Sequence, residues 1–122
     1  MTQISDRNIV LVVEDESLLR WHAVDVVEGA GFVALEAADA DEALRILAEH
    51  PDIKILFTDI NMPGSLDGLK LAQVVHVRYP QIKLIVTSGK IAPSSEELPE
   101  DGVFIAKPYS ADSVARHLVS LA

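Results

Sequence analysis

The stretch Ile53-Lys54-Ile55-Leu56-Phe57-Thr58-Asp59 is an apolar run that ends in a hydroxyl and an acid. Ile9-Val10-Leu11-Val12-Val13 repeats the arrangement and ends in Glu14-Asp15, and Ile82-Lys83-Leu84-Ile85-Val86 ends in Thr87-Ser88-Gly89. Such nearly or wholly unbroken runs are the pattern of strands buried on both faces. Two shorter runs complete a set of five: Phe32-Val33-Ala34-Leu35, and Val103-Phe104-Ile105-Ala106 with Lys107-Pro108 after it. Between the runs the apolar residues take helical spacing. The first such segment holds Leu19, Ala23, Val26, Val27 and Ala30, and the second Ala40, Ala43, Leu44 and Leu47. The third holds Leu71, Val74 and Val75, and the last Ala111, Val114, Ala115, Leu118 and Leu121. Asp39 with Glu42 forms a capping-box pattern, Gly31 follows the first segment, and Pro51 and Pro80 stand just past the second and third. Alternation of this kind predicts an α/β fold, a doubly wound parallel sheet with helices on both faces and right-handed crossovers. Ile91 to Gly102 interrupts it. With Pro93 and Pro99 inside, that segment has room for about one or two helical turns beginning near Pro93.

Composition agrees with one compact domain spanning residues 1–122, at 13.2 kDa. Hydrophobic residues make up 49% and charged ones 24%, which excludes a disordered chain. With only 5% aromatic residues, the core must be built mainly from Val, Ile, Leu and Ala. Ten basic against 19 acidic residues leave a net charge of −9, which argues against nucleic acid or an anionic membrane as a direct ligand. There is no cysteine, hence no disulfide, thiolate catalysis or thiolate zinc site. No apolar run approaches the roughly 20 residues of a membrane span, and Met1 to Asn8 is polar, unlike a signal peptide. A soluble, acidic, cytoplasmic single domain is the expectation. Because the last helix ends with the chain, no output domain is expected.

In open sheets of this class, ligands bind outside the carboxyl ends of the strands where the strand order reverses. If the first and third strands are neighbours, Glu14, Asp15 and Asp59 converge on one crevice. Three carboxylates there repel one another unless a cation lies between them, and an all-oxygen donor set suits a hard ion such as Mg²⁺. Asp15 could instead cap the first helix. Lys107 could reach the same crevice and pair with a carboxylate or with a transferring phosphoryl group. Strand alternation lets only one of Thr87 and Ser88 face it. Acids for a metal, a carboxylate nucleophile, a hydroxyl and a lysine are the parts needed for phosphoryl transfer to an aspartate. His22, His50, His76 and His117 show no metal-ligand spacing, and Trp21 suits either a partner contact or partial packing.

In this ordered set the chain resembles the receiver domains of two-component response regulators. The matching elements are Glu14-Asp15, Asp59, Met62-Pro63 with Asp67-Gly68, Ser88-Gly89 and Lys107-Pro108, and they span essentially the whole chain. The resemblance implies a flavodoxin-like receiver fold with five parallel strands in the order 2-1-3-4-5 and a short or degenerate fourth helix. It implies that Asp59 is the phosphoacceptor, taking its phosphoryl group from a sensor histidine kinase or a histidine phosphotransfer protein. Mg²⁺ would be held by Asp15, Asp59 and the backbone carbonyl of Asn61, with Glu14 acting through water. Ser88, followed by the small Gly89, matches the switch hydroxyl. Lys107 matches the family lysine, and its bond to Pro108 is often cis in relatives. Phe104 matches the aromatic that reorients on phosphorylation. Such a domain phosphorylates and dephosphorylates itself and is not a turnover enzyme; a downstream protein or a second copy of the chain would read the switch. The stretch Pro63 to Gly68 is one residue longer than usual, so the loop beside Asp59 should be reshaped. Pro-Gly-Ser-x-Asp-Gly and Thr-Ser-Gly-Lys make the chain similar to a subgroup of stand-alone alphaproteobacterial receivers.

Other functions on such a fold fit less well. A haloacid-dehalogenase-like phosphatase wants its nucleophile after the first strand with a second acid two residues on, whereas here Asp59-Ile60-Asn61 follows the third. A flavodoxin needs a phosphate-binding loop where Glu14-Asp15-Glu16 would repel a phosphate. No GxxxxGK occurs, so P-loop nucleotide hydrolysis is unsupported. A degenerate receiver acting by protein contact alone, and a phosphate sink, are the alternatives within the family.

Overall fold

The computed structural model describes residues 8–122 apart from Pro63, Ser65 and Ile91. Strands β1 (Ile9–Val13), β2 (Val33–Ala37), β3 (Ile53–Asp59), β4 (Lys83–Ser88) and β5 (Val103–Ala106) alternate with helices. The helices are α1 (Ser17–Gly29), α2 (Ala40–Glu49), α3 (Gly68–Arg78) and α4 (Ala111–Leu121), the last following β5. All strand pairings are parallel and the order is β2-β1-β3-β4-β5, as expected. The order reverses at β1, so its carboxyl end and that of β3 open onto the predicted crevice.

Burial explains the unbroken apolar runs. Successive residues of the central strands point to opposite faces, and both faces are covered. Leu11, Val13, Leu56, Leu84 and Val86 pack with Ala43, Leu47, Leu71 and Val75 of α2 and α3. Val10, Val12, Ile55, Phe57, Ile85 and Ile105 pack with Ala23, Val27, Val114 and Leu118 of α1 and α4. Strand β2 starts one residue later and ends two later than the run Phe32–Leu35 suggests. The reason is the exit from α1: Gly31 takes φ 92°, Phe32 N–H donates back to Val27 O, and Phe32 turns into the α1–α4 core.

Helix starts follow the local polar chemistry. Asp39 accepts from Glu42 N–H, the first half of the capping box of α2, while Glu42 Oε1 reaches one residue further back and accepts from Ala38 N–H. Between β4 and β5 the expected short helix is reduced to a hydrogen-bonded turn, and no helical element forms there among the described residues. Ser94 and Glu97 exchange side-chain bonds to each other's amides, and Leu98 N–H reaches Ser94 O. Pro99, which has no amide hydrogen, prevents a second turn. The segment leans on its neighbours through Leu98, which packs against the α2–α3 core, and through Gln73 Nε2, which donates to Glu97 O at 2.7 Å. Among the described residues no helix is long and apolar enough to cross a membrane.

Candidate functional site

Glu14 and Asp15 follow directly from β1 and Asp59 is the last residue of β3. One carboxylate oxygen from each lies within 4.8 Å of the others, so the three predicted acids do share one crevice. Glu14 and Asp59 are buried and Asp15 is half-buried. Asp15 caps nothing: the N-cap position of α1 is Glu16, and no side chain caps that helix.

Lys107 enters from β5. Its amide donates to Ser88 O, which extends the β4–β5 ladder past the strand end, and the Lys107–Pro108 peptide is cis. The ammonium lies 3.0 Å from Glu14 Oε1 and 3.1 Å from Asp59 Oδ1. Burial alone would lower the lysine's pKa, but the hydrogen bonds and charges of Glu14 and Asp59 outweigh it and the net direction is upward. Glu14 also moves upward, because burial outweighs its bonds to Lys107 and to Glu16 N–H, and Asp59 repels it. The short contacts establish a real ion pair, and the raised Glu14 shows that one ammonium does not offset the burial of this carboxylate. Three acids against one lysine leave about two negative charges in an all-oxygen crevice, which fits a hard divalent cation.

Ser88 and Thr87 separate as alternation requires. Ser88 follows Val86 onto the α2–α3 side, where its Oγ accepts from Asn61 Nδ2 and from Lys90 N–H, both at 3.0 Å. Thr87 follows Ile85 to the other side and lines a small cavity with Phe57 and Tyr109. The register pairs Val86 with Phe104 and Ser88 with Ala106, so Ser88 and Phe104 share the α2–α3 face. Phe104 is half-buried against that core.

Three features of the site go beyond the roles read from the sequence, the first at a residue the motif already marks. Gly68, the first residue of α3, donates its amide to Ile60 O, and a Cβ there would collide with the backbone carbonyl of Asp59. The Asp67-Gly68 pair signals it, since Asp67 caps α3 through Lys70 N–H and glycine permits the close approach. Arg20 donates to the carbonyl of Glu14 from α1 and has no motif to mark it. Tyr109 stacks on His22 with ring centroids 5.9 Å apart, and burial pushes its phenol pKa up. His50 is exposed, His76 and His117 are half-buried, and none of the histidines joins the acids. Trp21 is exposed. The loop after Asp59, expected to be reshaped, includes Pro63 and Ser65, which lie outside the described residues; Gly64 between them takes φ 112°, a left-handed conformation.

The chain is similar to proteins of two-component signalling. The sensor kinase CckA of Brucella abortus is 34% identical over 118 residues, covering 93% of this chain and 12% of that protein. The DNA-binding transcriptional regulator NtrC of Salmonella typhimurium is 34% identical over 110 residues, covering 87% of this chain and 23% of that protein. The chain therefore spans less than a quarter of either relative. The crystal structure of the receiver domain from the hybrid histidine kinase CckA superposes with a TM-score of 0.80 at 29% identity, covering 93% of this chain and 98% of that one. The stretch that matches the receiver family, residues 10–118, runs from β1 to α4 and contains every acid, hydroxyl and lysine of the crevice. By fold, strand-end chemistry and sequence together, the chain belongs to the response regulator receiver domain family of two-component signalling.

Proposed function

We propose that Asp59 is the phosphoacceptor, and that Lys107, Ser88 and the acids around it perform the transfer. The observation that carries this reading is the Lys107 ammonium held 3.1 Å from Asp59 Oδ1 at the bottom of an acidic crevice. A carboxylate oxygen of Asp59 attacks the phosphorus of a phosphohistidine on a sensor kinase or histidine phosphotransfer protein. The new P–O bond forms as the P–N bond breaks, and the donor imidazole leaves with the electron pair and takes up a proton. Lys107 releases Asp59 to follow the negative charge onto the phosphoryl oxygens. Ser88 exchanges its contacts with Asn61 and Lys90 for one to the phosphoryl group. Asp15, Asp59 and the Asn61 carbonyl would hold Mg²⁺, with Glu14 acting through water. Bound there, Mg²⁺ would supply charge neutralisation at the phosphoryl oxygens. The acyl phosphate is later lost to water, so the domain is a self-phosphorylating and self-dephosphorylating switch of the cytoplasm and not a turnover enzyme. A downstream protein or a second copy of the chain reads the changed surface.

Incubation with acetyl phosphate and Mg²⁺ should add one phosphoryl group by intact mass. Asp59→Asn and chelation of the metal should each abolish the addition. Equal labelling of Asp59→Asn would refute the assignment.

A further inference from the structure

We infer that Arg20 is a positioning residue for the acidic crevice: by holding the Glu14 carbonyl it fixes the peptide joining Glu14 to Asp15 and strengthens binding of a divalent cation. The inference rests on the reading that such a cation lies among Glu14, Asp15 and Asp59. Arg20 lies in the first turn of α1 and is largely buried. Its Nη1 donates to Glu14 O at 2.8 Å and its Nε to Glu36 Oε1 of β2 at 3.1 Å. Every other polar atom of Glu14 is also engaged. The amide donates to Ala37 O, Oε1 accepts from Lys107, and Oε2 accepts from Glu16 N–H. Arg20 takes the remaining carbonyl, and with it the orientation of the peptide plane from which Asp15 departs.

The way α1 begins explains why such a brace is needed. Helices α2, α3 and α4 are each capped by a side chain, from Asp39, Asp67 and Ser110. Helix α1 is not, and the turn through Glu14, Asp15 and Glu16 that leads into it is spanned by a long bond, 3.3 Å, from Glu16 N–H to Glu14 Oε2. The guanidinium, tied to Glu36 on the edge strand, adds a second restraint from four residues into the helix. Outer contacts that orient ligands in this way commonly matter to metal affinity by about 10–100-fold.

The sign of the effect separates positioning from plain electrostatics. A guanidinium beside a cation site repels the cation, so if only charge mattered, removing it would tighten binding. Positioning demands the reverse. Titration of ¹⁵N-labelled protein with Mg²⁺, following backbone amide shifts, should show about tenfold weaker binding in Arg20→Met. Arg20→Lys, able to reach Glu14 O or Glu36 but not both, should fall between Arg20→Met and the parent. Glu36→Gln, which keeps the contact to Glu14 O, should stay within about threefold of the parent. Metal-free melting of each variant reports the fold separately. Unchanged or tighter Mg²⁺ binding in Arg20→Met would overturn the inference, as would a loss in Glu36→Gln equal to it. If Arg20→Met melts too low to titrate, Arg20→Lys decides: weaker binding than the parent supports the inference, and equal or tighter binding ends it. Asp15→Ala tests the underlying reading on its own, since Mg²⁺ binding that survives that change would contradict the cation site whatever Arg20 does.

Discussion

At the scale of single residues, the crevice is a balance between its buried carboxylates and the ammonium paired with them. Lys107 gains from Glu14 and Asp59, so its folded-state pKa lies above the unfolded one. Its stabilisation is therefore complete while the lysine is charged in both states, and is lost as pH rises through the folded value. Removing one partner of a fully buried pair costs about 3–5 kcal/mol, and with this side chain 23% exposed about 2 kcal/mol is expected. Urea unfolding should show Lys107→Met less stable than the parent by that amount near neutral pH, with the gap closing at strongly alkaline pH. A gap indifferent to pH would mean that the side chain contributes by packing and not by charge. Lys107 was legible because it follows an apolar run at a strand end. Arg20 was not, since an arginine at helical spacing reads as surface until the fold brings β2 and the Glu14 carbonyl against it.

At the scale of elements, the strand–loop–helix unit β3–α3 holds Asp59 in place, and Gly68 is its tightest point. The β-carbon added by Gly68→Ala would meet the Asp59 carbonyl, so the loop or the strand end must move. Overpacking of this kind costs about 1–3 kcal/mol. Chemical denaturation should show that loss, and amide shifts of Asp59 and Ile60 should move even without metal; a silent substitution would show that the close approach is not maintained. On the neighbouring strand, phosphorylation should draw Ser88 from Asn61 and Lys90 and let Phe104, on the same face, repack. The segment between β4 and β5 begins at the same Ser88–Lys90 contact, and its Leu98 packs against the same core as Phe104, so it should move with them. Beryllofluoride, a phosphoryl mimic, should shift amides from Asp59 through Ser88 to Phe104 and into residues 92–102. Shifts confined to the acids would leave the coupled switch without support. The sequence marked this segment through its prolines. That a capped turn stops after one cycle depends on where Pro99 falls relative to Ser94, and that Gln73 braces it depends on tertiary packing, which periodicity does not carry.

At the scale of the whole molecule, a net charge of −9 makes any dissolved cation mildly stabilising by screening, whereas a built site selects the divalent ion. Binding to the native state alone adds RT ln(1 + [L]/Kd), about 1.4 kcal/mol at ten times Kd, or roughly 5 °C for a chain of this size. Mg²⁺ should therefore raise the melting temperature well beyond NaCl of equal ionic strength, and Asp15→Ala should remove the difference. Equal effects of the two salts would reduce the crevice to a patch of surface charge. The global fold was readable because β1, β3 and β4 are buried on both faces and so appear as unbroken apolar runs ending in chemistry. The strand order came from resemblance and not from periodicity, since parallel strands joined by helices leave no local mark of which neighbours they take. The central claim is that Asp59 carries the phosphoryl group, and the most direct measurement is reductive trapping. Borohydride converts an aspartyl phosphate to homoserine, so protein phosphorylated with acetyl phosphate and Mg²⁺, reduced and digested, should yield homoserine at position 59 and nowhere else. Homoserine at another acid, or phosphate retained on a residue that borohydride leaves unchanged, would contradict it.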